Sequence, residues 1–253
     1  MQTDIRKALF GVVIAAASLV GGTSLALADD DAKAAEAAAA AVDLGPVANW
    51  NGAYIGLEGG FGQGAGYWDF LVGPAVDAPT SGGLVGVNAR VLRQVGNWVG
   101  GLEANADVTN IVGHTRCPNY KFNCEAKTDG LASINGVLGY AAGRWLVYGV
   151  AGVGAEQVSE QGLFVSDSHI NDSTGQRTKF GWTAGIGFES ALSSRVSLGA
   201  QYLHYTFGSD YQGLVSPALG RVNTVSNFRE QNDTIEAHIN FKLTGDERHT
   251  PLK

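Results

Sequence analysis

From Phe180 to Phe207 the chain alternates residue by residue. Phe180, Trp182, Ala184, Ile186 and Phe188 are apolar, while Gly181, Thr183, Gly185, Gly187 and Glu189 between them are small or polar, the period of two expected of a strand. After Ser193-Ser194-Arg195 the pattern resumes, with Val196, Leu198, Ala200 and Tyr202 set against Ser197, Gly199 and Gln201. The stretch therefore predicts two antiparallel strands joined by a short connection. A soluble β-sandwich, the alternative fold, packs large side chains inward. Here the non-apolar side is mostly Gly, Ser, Thr and Gln with an occasional carboxylate, which predicts a narrow barrel with a polar interior and an apolar outer face in lipid.

The same alternation recurs along the chain. A first strand from Trp50 sets Ala53, Ile55, Leu57 and Phe61 against Tyr54, Gly56, Glu58 and Gly60. A second, Leu84 to Val91, opposes Val87, Ala89 and Val91 to Asn88 and Arg90. A third opens at Trp98, with Leu102, Ala104, Ala106 and Val108 against Glu103, Asn105 and Asp107. The fourth covers about 130–140, and the fifth runs from Trp145 through Ala155 with a facing its glycines leave open. The hairpin above supplies the sixth and seventh. Thr234 to Leu243 is the eighth, with Ile235, Ala237, Ile239, Phe241 and Leu243 outward and Glu236, His238, Asn240 and Lys242 inward. Long loops at 64–82, 110–127, 157–179 and 208–233 alternate with short turns. The expected fold is all-β: an eight-stranded antiparallel up-and-down transmembrane barrel with short periplasmic turns and four long extracellular loops.

The facing makes two further predictions. Trp50, Trp98 and Trp145 each open an odd-numbered strand and, with Tyr140 and Phe241, form an expected periplasmic aromatic girdle; Phe61, Phe180 and Trp182 form the opposite one. Inside, Glu58, Glu103, Asp107, Glu189, Glu236 and His238 share the interior with Arg90 and Lys242. Unpaired buried carboxylates are costly. Arg90, between the first and third strands, is expected to bridge Glu58 and Glu103, while Glu189 and Glu236 have no basic partner legible in the sequence.

Arg6 and Lys7 precede an apolar run from Ala8 to Val20 and a Leu25-Ala26-Leu27-Ala28 ending. That is the pattern of a secretory signal peptide over residues 1–28, too short to span as a helix. Removing Asp4, Arg6 and Lys7 takes the formal charge from −7 to −8, an acidic balance that argues against nucleic acid as a partner. Residues 29–49 form an acidic, alanine-rich periplasmic linker, residues 50–243 the barrel, and residues 244–253 a polar tail. With no long apolar helix elsewhere, the membrane is crossed by strands.

Candidate chemistry is sparse. Cys117 and Cys124 lie in an exported loop, where oxidising conditions favour a disulfide over a metal site that would lack further ligands. The five histidines, His114, His169, His204, His238 and His249, show no metal-helix spacing. Gly60-Phe61-Gly62-Gln63-Gly64 matches no nucleotide-binding pattern. No catalytic residue, metal or cofactor is assigned.

WNGAYIGLEGGFG, LASINGVLGYAAGRWLVYGVAGVG, GWTAGIGFESALSSRVSLGAQYLHYTFG and IEAHINFKL, in that order and spacing, resemble the OmpA-like, porin-family eight-stranded surface barrels of Gram-negative bacteria. The resemblance implies an outer-membrane location and no common catalytic site. Its implied partners are outer-membrane lipids and lipopolysaccharide, the barrel-assembly machinery, and a surface ligand reached through the loops. It implies a structural role in envelope integrity and surface interactions, with a narrow, weakly cation-selective channel as the alternative. A lipid-modifying enzyme is a remote third reading, because the His-x-Ser-Asn pattern of lipid-facing deacylases is absent. The chain departs from that family in carrying Leu243 and a polar extension in place of a terminal aromatic, and in having Asn135, Val137, Gly199 and Gln201 where charged interior residues are common.

Overall fold

The computed structural model describes residues 47–70, 74–118, 120–164, 171–173, 175–216 and 221–243. The expected signal peptide, nearly all of the linker and the polar tail lie outside these residues. Ten strands lie among the described residues: β1 (Gly52–Phe70), β2 (Val76–Val95), β3 (Trp98–Arg116), β4 (Phe122–Ala142), β5 (Trp145–Phe164), β6 (Asn171–Ser173), β7 (Arg177–Ala191), β8 (Val196–Phe207), β9 (Asp210–Ser216) and β10 (Arg221–Lys242). Eight of them form a closed antiparallel ring in the order β1-β2-β3-β4-β5-β7-β8-β10, with β10 pairing back onto β1. Closure leaves no free edge. Beyond the ends of β7 and β8, the short strands β6 and β9 bridge from β5 to β10.

At one end the connections are tight. Gly96 and Gly143 each take the first central position of a two-residue turn with φ of 62° and 57°, the glycine-first hairpin geometry compatible with strand twist. At the other end the strands extend well past their expected limits. The expected loop 64–82 is mostly β1 and β2, 110–127 is mostly β3 and β4, and much of 157–179 and 208–233 is likewise strand. The ladder continues there because paired backbone satisfies its own hydrogen bonds whatever the side chains, so glycine- and polar-rich sequence reads as loop yet pairs as strand. A register shift between Thr128 and Gly130 helps hide the extension, since it inverts the facing of β4. Cys124, Ala126 and Thr128 point inward above it, and Leu131, Ser133 and Asn135 below.

The outer face carries an apolar belt including Leu57, Val87, Leu102, Ile134, Val153, Ile186 and Ile235, all exposed. β5, unreadable in its facing from sequence, sends Val147 and Val153 outward and Leu146, Tyr148 and Val150 inward. Above the belt the outward positions turn polar, as at Gln157 on β5 and at Gln231 and Arg229 on β10.

Candidate functional site: the filled interior of the barrel

The interior is occupied in layers. At the short-turn end Trp50 is buried, 2% exposed, with Leu92, Val99, Ala141 and Leu146. Trp50 was expected in the periplasmic girdle; it instead closes the bottom of the barrel. The reason lies at Gly52, where φ of 141° is open to glycine alone and turns the preceding residues under the strands. Tyr54 Oη donates to Trp50 O at 3.0 Å, Trp50 N–H donates to Gln94 Oε1 at 2.8 Å, and Lys242 Nζ donates to Asn49 O at 2.9 Å. The other expected girdle residues, Trp98, Tyr140, Trp145, Phe241, Phe61, Phe180 and Trp182, are exposed on the outer face. Trp98 and Tyr140 pack edge-on with centroids 5.5 Å apart.

Above this plug lies the polar layer centred on Arg90. Its Nε is 2.6 Å from Glu103 Oε2 and its Nη1 2.5 Å from Glu189 Oε2, while Nη2 donates to Tyr148 Oη at 3.0 Å and to Gln201 Oε1 at 3.3 Å. Arg90 thus joins Glu103 to Glu189, not to Glu58 as expected. Glu58 accepts instead from Asn88 Nδ2 at 2.9 Å. The cause is the narrow bore: β2 faces β7 across it, which brings Glu189 into reach, and glycine at 187 leaves room for the Tyr148 ring that guides the guanidinium.

Glu189, without a legible partner in sequence, is among the best satisfied groups. It accepts from Arg90, from Asn240 Nδ2 at 2.8 Å and from Ser197 Oγ, and His238 Nε2 stands 3.5 Å away. Gln201 donates to Glu103 Oε1 at 3.0 Å and accepts from Tyr148 Oη at 2.8 Å, so an amide at a position that departs from the family pattern serves the charge network. Glu236 accepts from Thr234 Oγ1 at 2.6 Å. Among the described residues no cation lies within ion-pair distance of Glu58, Asp107 or Glu236.

Ile111, Leu203, Tyr205 and Phe207 are buried inside with this layer; the last three continue the inward face of β8 begun by Ser197, Gly199 and Gln201. Higher still is a second charged layer that sequence reasoning placed in loops. Arg177 Nη2 reaches both oxygens of Glu160 at 2.6 Å. Lys179 Nζ lies 2.5 Å from Glu230 Oε2, 3.7 Å from Glu160 Oε1, and donates to Phe228 O at 3.0 Å. Asn232 donates to Glu156 Oε2 at 3.2 Å. The outward neighbours of Glu230, Arg229 and Gln231, are polar, so it stands beyond the belt; burial and then the Glu160 charge push its carboxyl up to about 7, against the pull of Lys179.

The far end is capped by Trp68 and Phe228, both fully buried, their rings meeting edge-on at 4.9 Å. The Cys117–Cys124 disulfide, with Cα atoms 5.1 Å apart, packs into this cluster beside Phe70, Val76 and Phe122.

A closed antiparallel ring with an apolar outer belt and a polar, filled interior is the architecture of a bacterial outer-membrane barrel. The family model for the outer membrane protein beta-barrel domain matches residues 32–236, and the chain belongs to that family. It is 26% identical over 208 residues to the 31 kDa outer-membrane immunogenic protein of Brucella melitensis biotype 1, covering 77% of this chain and 84% of that one. To the 25 kDa outer-membrane immunogenic protein of Brucella abortus biovar 1 it is 25% identical over 239 residues, covering 94% and 100%. Among solved structures, the outer membrane protein OprG of Pseudomonas aeruginosa aligns with a TM-score of 0.48 at 11% identity, over 76% of this chain and 97% of that one. By the family match the protein is a bacterial outer-membrane β-barrel, similar in sequence to the Brucella outer-membrane immunogenic proteins.

Proposed function

We propose that this protein is a structural, surface-exposed barrel whose interior is closed, contributing to envelope integrity and to contacts at the cell surface. The observation that carries this reading is the succession of side-chain layers from Trp50 to the Trp68–Phe228 pair, with Arg90 tying Glu103 to Glu189 across the bore. Eight strands enclose a space that side chains can fill. The tall end, capped by the disulfide cluster, faces outside and offers the surface for a ligand, the short turns face the periplasm, and the belt takes lipids and lipopolysaccharide. The refolded chain in planar bilayers should show no discrete conductance steps, and a steady open level would overturn the closed reading. A weakly cation-selective channel is the second reading, favoured by Glu58, Asp107 and Glu236, which among the described residues have no cation within ion-pair distance; removing Arg90 should open a small leak that prefers cations.

A further inference from the structure

The outer face of β8 and β10 carries a polar chain at the upper margin of the apolar belt, between exposed Trp182 and Ile235 on one side and the polar outward positions Gln63 and Gln231 on the other. Asp233 Oδ1 lies 2.7 Å from His204 Nδ1, and His204 Nε2 lies 3.0 Å from Thr206 Oγ1. Tyr202 Oη donates to the same Asp233 oxygen at 2.6 Å. Trp182 packs against the His204 ring with centroids 5.5 Å apart, and Phe180, 75% exposed, lies still further along β7, so the chain stands at the level of the upper aromatic girdle. An ionisable group turned toward lipid is costly and, where it persists, functional by default.

The order of the groups is the chemical point. A carboxylate can only accept, so it holds the proton on Nδ1 of His204 and leaves Nε2 as the acceptor of the Thr206 hydroxyl proton. This is a nucleophile, a base and an orienter in hydrogen-bond sequence. The period of two places His204 and Thr206 on one face with Tyr205 turned inward between them, so a His-x-Thr run achieves what a sequence search for His-x-Ser-Asn passes over. Directly opposite Thr206 in the β8–β10 register is Gln231, whose side-chain amide can donate to a developing oxyanion, as side-chain amides do in acyl-transfer sites.

We propose that Thr206, His204, Asp233 and Gln231 form an acyl-ester hydrolase site open to the membrane boundary, acting on ester-linked fatty acyl chains of a lipid. Thr206 Oγ attacks the ester carbonyl carbon as His204 Nε2 takes its proton; the adduct collapses with cleavage of the bond to the lipid alcohol, which leaves with that proton. Water then attacks the acyl-threonine. His204 takes a proton from the water and returns it to Thr206 Oγ as the fatty acid departs. Thr206, His204 and Gln231 are the catalytic residues, and Asp233 is a positioning residue acting through His204. The site is on the outer wall and is independent of whether the interior is closed.

The test uses the full chain refolded in detergent, with folding of every variant verified by unheated against heated gel mobility. It is mixed either with vesicles of dioleoyl phosphatidylethanolamine and phosphatidylglycerol or with purified lipopolysaccharide, and released fatty acid is measured by mass spectrometry. Release is expected in at least one arm, and the arm that responds identifies the lipid. Thr206→Val and His204→Asn should each lower it at least about a hundredfold, Gln231→Ala by a similar factor, and Thr206→Ser should retain it. Asp233→Asn should lower kcat with apparent KM unchanged, and Asp233→Glu should recover part of the loss. No release from either lipid, or undiminished release by folded Thr206→Val, overturns the proposal.

Discussion

Arg90 and Lys179 are both buried inside the barrel, each beside two glutamates, yet their surroundings differ in a way that assigns them different weights. Arg90 lies within the depth of the lipid belt and is the shared partner of carboxylates on β3 and β7, with its remaining donors spent on Tyr148 and Gln201. Lys179 lies above the belt and has help: Arg177 holds Glu160 through both oxygens. The contrast teaches that a buried cation's importance follows from how many carboxylates lose compensation with it, more than from how deeply it is buried.

The largest expected effect is therefore Arg90→Ala. Losing one member of a buried ion pair typically costs about 3–5 kcal/mol because the partner charge is left uncompensated, and here two partners are left. A urea refolding titration in lipid vesicles should show the loss, and an unchanged midpoint would remove Arg90 from its central place. The depth difference between the two layers can be broken next. Ile186→Arg on the belt should cost about 2–4 kcal/mol, whereas Gln157→Arg, outward beside the upper layer, should cost about 0–1 kcal/mol. Equal losses would mean that the upper layer also lies within lipid.

Lys179→Met should be milder than Arg90→Ala, about 1–3 kcal/mol, since Glu160 keeps Arg177 and chiefly Glu230 loses its partner. A loss matching that of Arg90→Ala in the same titration would erase the comparison. The smallest effect is in pH. Because the Glu230 carboxyl is raised to about 7 from an ordinary 4.5, folding binds its proton more tightly than the unfolded chain does. Its contribution is fully present below about pH 4.5 and is lost as pH rises through about 7. Glu230→Gln should accordingly flatten the pH dependence of the refolding midpoint across that interval, and an unaltered profile would show that Glu230 does not titrate there.

The sequence by itself determined the outward face of the belt-level part of every strand but β5. Leu102, Ala104, Ala106 and Val108 against Glu103, Asn105 and Asp107 is a local, period-two property, and a strand of that pattern has one way to sit at a membrane. It also determined where the short turns fall, between the alternating runs, and the cysteines that pair. Three features were decided only by the tertiary structure. Trp50 moved from the expected girdle into the interior because the backbone turn at Gly52 redirects it. The upper halves of the strands were hidden because their glycine- and polar-rich composition resembles loop and because the shift at Thr128/Gly130 inverts the alternation. Glu189 met Arg90 because closing a narrow ring brings β2 and β7 face to face across its bore, and His204 met Asp233 because the register of β8 against β10 sets them opposite each other. Alternation records the face on which each side chain lies; which partner it meets there depends on strand pairing, tilt and closure, properties that belong to the ring as a whole.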